Sequence, residues 1–296
     1  MISYKVPASI QKYLEHDLIL QYTELPKFPA GRAGLLRLFL QSATDSPESL
    51  RELYPMATSL VQVALDTHDL VGEEREEGGK VGRMTQLRVL AGDYFSSRFY
   101  QLLAQAGQID WIRHLAHAIC ELNRIKLQCY MRMKHLKMGA EEYVQSMVSI
   151  RSTLFQTFSI LFENPVRQIW PEVLKAYTRC EVLADELHKA ESAKHWKNSW
   201  SYWYILDQQA REKDRALLAD TVPDEERLKE LLDRFGIVHL LRTMLEESVR
   251  LFADKLAALD MPRLMPHLAR ELRDAILPFE RLVNGMDPSY CSQVTQ

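Results

Sequence analysis

Residues 57–104 read ATSLVQVALDTHDLVGEEREEGGKVGRMTQLRVLAGDYFSSRFYQLLA. Two apolar runs flank a short charged turn that holds glycines. The first run carries Asp66 and Asp69. Acids in such a setting cost free energy unless they are solvated, paired or bound to a cation. The second run carries Gly92-Asp93, followed by aromatic residues. In it Leu87, Leu90, Ala91, Tyr94, Phe95, Phe99, Leu102 and Leu103 recur at steps of three and four, which predicts a helix over 83–105 ended by Gly107. The first run predicts a helix from about Met56 to Val71. Gly72, Gly78, Gly79 and Gly82 predict a loop between them, with Glu73–Glu77 as its solvated charged part.

The same periodicity extends outward. Residues 109–136 carry Ile112, Leu115, Ile119, Leu122, Cys129, Met133 and Leu136 on one side, interrupted by Lys126. About 28 helical residues make a rod roughly 42 Å long, a length that suits a central bundle helix or a subunit contact. Upstream, Pro7 opens a helix over 7–23, and Gly31–Ala43 forms a second. Ser46-Pro47-Glu48 reads as a helix start with serine as the cap, and Pro55 then breaks or kinks that helix. Downstream, helices are expected over 140–162, 168–191, 193–214, 223–235, 237–259 and 264–284. No alternating strand pattern and no internal repeat interrupts them. The expectation is an all-α single domain over 1–286, a bundle of about ten helices, with a flexible tail over 287–296.

Composition narrows the function. The 296 residues carry a net charge of -3. That balance excludes a basic face for nucleic acid. No run of about 18 apolar residues spans a membrane. The opening MISYKVPASI has no apolar leader core, and Cys120, Cys129, Cys180 and Cys291 lack metal or redox spacing. Free thiols in a reducing, cytoplasmic setting are expected.

Several residues have both a chemical and a structural reading. Asp66 and Asp69, three apart, share a helix side and could hold Mg²⁺, which takes oxygen ligands and bridges to phosphates; they could equally be plain helix acids. His68 between them leans off their side and reads as a polar helix residue. His114 and His117 are also three apart, but zinc needs further ligands that the sequence does not supply. Trp196, Trp200 and Trp203, with Tyr204 adjacent, form either core or an aromatic wall for an apolar ligand or partner.

The order of an acid-bearing helix, a charged turn and a leucine-rich helix with Gly-Asp resembles the trans-polyprenyl diphosphate synthases. More narrowly, LVQVALDTHDLV with QLRVLAGDYFSSRFYQLL resembles the component I subunits of bacterial two-component heptaprenyl diphosphate synthases. Arg151-Ser152-Thr153-Leu154-Phe155 stands where catalytic relatives carry a lysine-threonine segment. Phe235-Gly236 and the helix after it resemble their C-terminal part. The resemblance implies an isoprenoid-synthase-like fold that pairs through long central helices, here 83–105 and 109–136.

The departures from the catalytic pattern are specific. Relatives carry DDxxD; here the segment is Asp66-Thr67-His68-Asp69-Leu70. Their basic segment for isopentenyl diphosphate is reduced to Arg32, and their paired arginines to Arg75. The second aspartate-rich motif is reduced to Asp207 in Tyr204–Arg211. Ionising an allylic diphosphate requires several Mg²⁺ ions held by two carboxylate clusters against the leaving pyrophosphate. The resemblance therefore implies a non-catalytic regulatory subunit, with Mg²⁺ and the chemistry in a catalytic component II. The pair would extend farnesyl diphosphate with isopentenyl diphosphate to a C35 chain for menaquinone. Val61, Gln62 and Leu65 would line the elongation tunnel, and Phe95 and Phe99 would lie at the subunit interface. Two alternatives stand beside this one: a divergent Mg²⁺-dependent prenyltransferase or terpene synthase active alone, and a helical scaffold with no isoprenoid role.

Overall fold

The structure is a computed structural model that describes residues 25–71, 79–190, 193–208, 222–258 and 266–285. Among these residues there are ten α-helices and no strand. They are α1 (Ala30–Ala43), α2 (Glu48–Asp69), α3 (Gly79–Gln105), α4 (Ile109–Lys134), α5 (Ala140–Gln156), α6 (Val166–Lys189), α7 (Trp200–Gln208), α8 (Glu225–Arg234), α9 (Ile237–Ala258) and α10 (Pro266–Val283). Short 3-10 turns occupy Thr157–Leu161 and Ala193–Asn198. The expected helix over 7–23, the charged part of the turn at 73–77 and the tail over 287–296 lie outside the described residues.

The described residues group into two compact units. One draws on the described residues within Met1–Cys120, Leu154–Trp170 and Pro262–Leu272. Its core is aromatic. The Phe39 ring lies 4.9 Å from that of Trp170 and 6.1 Å from Phe162. Trp111 stacks on Phe158 at 4.5 Å, with Tyr54 at 5.0 Å from Trp111. Such ring pairs add to the plain burial of their area. The polar tips are satisfied: Trp170 Nε1 donates to the Phe155 carbonyl at 3.1 Å, and the Tyr54 hydroxyl donates to Gln108 Oε1 at 2.8 Å.

Within this unit α2 and α3 form the most extensive helix pair. Helix α2 buries Leu53, Ala57, Leu60, Val61 and Ala64, spaced for one side of a helix. It also buries Thr58, Ser59 and Thr67, whose hydroxyls donate to carbonyls four residues back at 2.6–2.7 Å. Such back-bonding lets a hydroxyl enter an apolar interface without an orphaned donor. Helix α3 presents Ala91, Phe95, Phe99 and Leu103, one residue every turn.

Several boundaries differ from expectation. Ser46 is not the cap of α2. Pro47 takes that position, and its carbonyl accepts from Leu50 and Arg51 N–H at 2.9 and 3.1 Å. Pro55 does not divide the segment, since α2 continues through it. Proline in a helix interior costs about 3 kcal/mol, and burial of Leu53, Tyr54, Pro55 and Ala57 around it supplies the compensation. Gly79 and Gly82 belong to α3 rather than to the loop. A helical glycine costs only about 1 kcal/mol, which packing readily overrides.

The second unit draws on the described residues within Glu121–Thr153, Pro171–Met261 and Arg273–Gln296. The Tyr177 ring centres one cluster, 5.5 Å from Phe252 and 5.6 Å from Phe279. Helix α4 stops at Lys134 because Leu136 adopts φ +52°, with Lys137 N–H closing on the Arg132 carbonyl at 2.9 Å. Asp224 caps α8 by accepting from Arg227 N–H at 2.8 Å. Gly236 at φ +59° then turns the chain into α9, a conformation that glycine adopts at no steric cost.

Candidate functional site

Two places would bear chemistry if this chain had any: the C-terminal turns of α2 with the facing stretch of α3, and helix α7. On α2, Val61 and Gln62 are buried in the first unit, while Leu65 is half-buried. The Gln62 amide donates to Asp66 Oδ1 at 2.8 Å, one helical turn on. Its own carbonyl oxygen is buried with no hydrogen-bond partner among the described residues. Asp66 is half-buried and Asp69 is exposed at the last residue of the helix. The spacing of three does place the two acids on one side, as expected, but at different depths.

His68 faces α3. Its ring atoms lie 2.6–2.9 Å from where a β-carbon on Gly92 would stand, and its Nε2 is 3.5 Å from Asp93 Oδ1. The Gly-Asp pair is therefore a seat for His68: the glycine gives the imidazole room and the aspartate faces its nitrogen. Four residues earlier on α3, Arg88 is buried and donates to the Leu70 carbonyl at 3.1 Å, just past the end of α2. A cation there meets the negative end of the helix dipole and one of its orphaned carbonyls. A glycine inside an otherwise regular helical pattern was the available hint of this close approach. Arg88 carried no hint, because a lone arginine beside leucines reads equally as surface.

The second place holds Asp207. Its Oδ2 accepts the Ala140 N–H at 2.8 Å, the first residue of α5. The one acid of the shortened second motif thus engages a helix N-terminus, where a carboxylate is favoured by the unpaired amides and the dipole. The tryptophan stripe resolves in favour of core. Trp196, Trp200 and Trp203 are each no more than 3% exposed. Trp200 stacks on Tyr204 at 4.7 Å, and Tyr202 meets Trp196 and Trp203 edge-on.

Glu186 on α6, which the sequence did not single out, organises this corner. It is 1% exposed. Its carboxylate accepts the Trp200 N–H at 2.6 Å, the Lys189 ammonium at 2.8 Å and the Tyr143 hydroxyl at 3.2 Å. The Tyr143 hydroxyl also lies 2.7 Å from the Asn198 carbonyl. Burial first, and the Glu186 carboxylate second, push the Tyr143 hydroxyl well above the usual tyrosine value.

The remaining candidates disperse. Arg32 is buried, its guanidinium 5.4 Å over the Phe155 ring, so its charge points into the first unit's core. Arg151 pairs with Asp185 at 2.5 Å. His114 lies against the Trp111 ring, 5.3 Å between centroids, and His117 is exposed. Phe95 and Phe99, expected at a subunit interface, are 0% and 1% exposed. That placement is corrected: their every-fourth-residue spacing faces the chain's own core, and the outward side of α3 carries Leu90 and Tyr100 instead.

A Mg²⁺ site of the prenyl-synthase type needs several convergent carboxylates. The donor set here does not fit one. Asp66 accepts from Gln62, His68 fills the position beside Gly92, and Asp207 caps α5. Among the described residues no group of three or more His, Cys, Asp or Glu side chains is placed to hold a metal ion. Among them, too, no helix is long and apolar enough to cross a membrane.

Comparison with known proteins gives the following likenesses. Residues 16–220 match the sequence profile of the family described as heptaprenyl diphosphate synthase (HEPPP synthase) subunit 1. The heptaprenyl diphosphate synthase component 1 of Geobacillus stearothermophilus is 42% identical over 91 residues, which is 31% of this chain and 39% of that relative. The chain thus matches well under half of that relative's length. Among solved structures, a decaprenyl diphosphate synthase from Rhodobacter capsulatus superposes with a TM-score of 0.65 at 16% identity, over 94% of this chain and 91% of that one. A geranylgeranyl pyrophosphate synthase from Lactobacillus brevis gives 0.66 at 12% identity, over 91% and 96%. At such identities the two structures speak for the fold alone: all-helical and isoprenoid-synthase-like.

Proposed function

The chain belongs to the heptaprenyl diphosphate synthase subunit 1 family, and on that premise we propose that it is the non-catalytic subunit of a two-component prenyl diphosphate synthase. In this reading a separate component II binds Mg²⁺ and performs the condensation of isopentenyl diphosphate with farnesyl diphosphate. The product is the C35 chain, used for menaquinone, and the complex works in the cytoplasm. The present chain supplies a helical frame that stabilises the catalytic subunit and bounds the apolar tunnel, with Val61, Gln62 and Leu65 as its tunnel residues.

One observation carries the proposal. Asp207, the acid left in the second motif, has its carboxylate at the start of α5, where it accepts the Ala140 N–H at 2.8 Å. An oxygen committed to an amide is a poor ligand for a cation that must also meet a diphosphate. With one weakened cluster in place of two, the charge that develops on departing pyrophosphate is left without compensation.

The test is an assay of isopentenyl diphosphate incorporation into farnesyl diphosphate with Mg²⁺ present. It is run with this chain alone, component II alone and the two together, and the products are sized. Incorporation only in the mixture, with products of C35 length, is the expected result. Turnover by this chain alone would make it an enzyme in its own right. Component II working equally well without it would leave the helical-scaffold alternative.

A further inference from the structure

The chain holds four asparagines, Asn123, Asn164, Asn198 and Asn284. An asparagine side chain can close on the backbone nitrogen of the residue that follows, forming a five-membered imide. Closure needs an N–H on that nitrogen, little bulk beside it, and a backbone able to leave its regular hydrogen bonding. The fold denies these to three of the four. Asn123 sits midway along α4, and the bulky Arg124 after it belongs to the same helix. Asn164 precedes Pro165, which has no N–H. Asn198 precedes Ser199, which is 1% exposed and donates its N–H to the Trp196 carbonyl at 3.2 Å. The Asn198 carbonyl is itself held by the Tyr143 hydroxyl at 2.7 Å and the Lys189 ammonium at 3.3 Å.

Asn284-Gly285 differs on each count. Both residues are exposed and follow directly on Val283, the last residue of α10. Gly285 adopts φ +67°, and a β-carbon built on it would meet no atom of the described residues within 4 Å, its chain neighbours aside. Glycine takes that conformation at no steric cost and leaves its nitrogen unshielded. The Gly285 N–H does make one bond, to the Leu282 carbonyl at 3.2 Å, and the Asn284 N–H reaches the Glu280 carbonyl at 3.0 Å. These bonds close a helix end that stands in water, where local opening costs little free energy. Opening at Asn198 would first break the buried contacts around Glu186.

We propose that Asn284 is a site of spontaneous covalent modification, through ring closure onto Gly285. The Gly285 nitrogen gives its proton to solvent base and attacks Cγ of Asn284. A C–N bond forms, and the side-chain nitrogen takes a proton from water and leaves as ammonia. Water then opens the imide at either carbonyl, giving aspartate or isoaspartate. The net change is one water gained and one ammonia lost, with no change of oxidation state. The product carries a new carboxylate at the C-terminal end of α10, the negative end of the helix dipole. In the isoaspartate form the main chain gains a methylene before Gly285, and the closing bond to the Leu282 carbonyl loses its geometry. The site is independent of the two-component reading.

The full chain is incubated in mildly alkaline buffer below its melting temperature, natively and unfolded in guanidinium chloride, and its peptides are mapped by mass spectrometry. Isoaspartate is counted with an isoaspartate-specific methyltransferase. The Asn284 peptide is expected to gain about 1 Da, natively at a rate within about tenfold of that in the unfolded chain, as suits a frayed helix end. Asn198 is expected to react only when unfolded. Asn284→Gln, which would have to close a six-membered ring, is expected to lose the gain in both states, and Gly285→Ala to slow it in the unfolded chain, where folding plays no part. An Asn284 peptide that gains mass only when unfolded shows that the end of α10 protects it and overturns the proposal. A mass that stays constant in both states, or native reaction at Asn198 as fast as at Asn284, overturns it equally.

Discussion

The imidazole of His68 occupies the space that a side chain at Gly92 would fill, with ring atoms 2.6 Å from the ideal β-carbon position. The two residues should therefore be energetically coupled. In a His68→Ala background, Gly92→Ala is expected to stabilise by up to about 1 kcal/mol through helix propensity. In the wild type the same change must displace the ring from Asp93, and the gain should disappear or reverse. Chemical denaturation of the four proteins in a double-mutant cycle gives the coupling, expected at about 1 kcal/mol or more. Additive effects would show that the ring does not rest there.

Asp207 is predicted to matter for stability. Asp207→Ala removes the acceptor for the first amide of α5, a loss of the size of a helix cap, about 1–2 kcal/mol. Denaturant midpoints measure it.

Glu186 joins Trp200, Lys189 and Tyr143 in one buried contact set. Truncation to alanine orphans the buried Trp200 amide and leaves the partly exposed Lys189 ammonium with the Asn198 carbonyl, so a loss of about 1–3 kcal/mol is expected. Glu186→Gln keeps an acceptor for the amide and should lose less. Equal stability of wild type and Glu186→Ala in urea would refute this role.

Alkaline pH should weaken the fold in a defined order. Burial raises the Cys180 thiol from 9.0 to about 12, and the Tyr143 hydroxyl is raised well above 10.0. Both keep their protons in the native state at pH values where the unfolded chain releases them. The unfolded state then binds fewer protons, so stability falls as pH rises from about 9, the thiol contributing first and the phenol from about 10. Melting temperatures between pH 8 and 11 check the trend, and Cys180→Ala should flatten its first part.

Thiol reactivity gives an independent reading of burial. Cys120 is exposed whereas Cys129 and Cys180 are buried. Brief alkylation of the native protein followed by peptide mapping should label Cys120 and spare the other two until denaturant is added.

The helical order was legible because burial imposes a period of 3.6 on nearly every segment, as Ala91, Phe95, Phe99 and Leu103 illustrate. The same period could not say what a buried side meets. Spacing alone is therefore compatible with Phe95 and Phe99 at an interface, whereas they belong to the chain's own core. The weakening of both acidic motifs was legible by residue type alone. What the surviving residues do instead was not: Asp207 caps a helix 67 residues earlier in the chain, and His68 rests on a glycine 24 residues later. Such partners are chosen by tertiary packing, which leaves no local pattern. Glu186 carries no local signal for the same reason, since a carboxylate among leucines and alanines on a long helix normally faces water.

Thr67 shows how closely this side of α2 is committed to packing. It is 0% exposed, and its hydroxyl closes on the Val63 carbonyl at 2.6 Å. An acid at this position, as in Thr67→Asp, would put a carboxylate inside the α2 core in place of a hydroxyl that is already satisfied. The neighbouring His68 has meanwhile taken the room left by Gly92. This turn of α2 thus admits a hydroxyl that folds back on its own backbone and excludes a charge, so a charged substitution there would show itself first as a loss of folded protein.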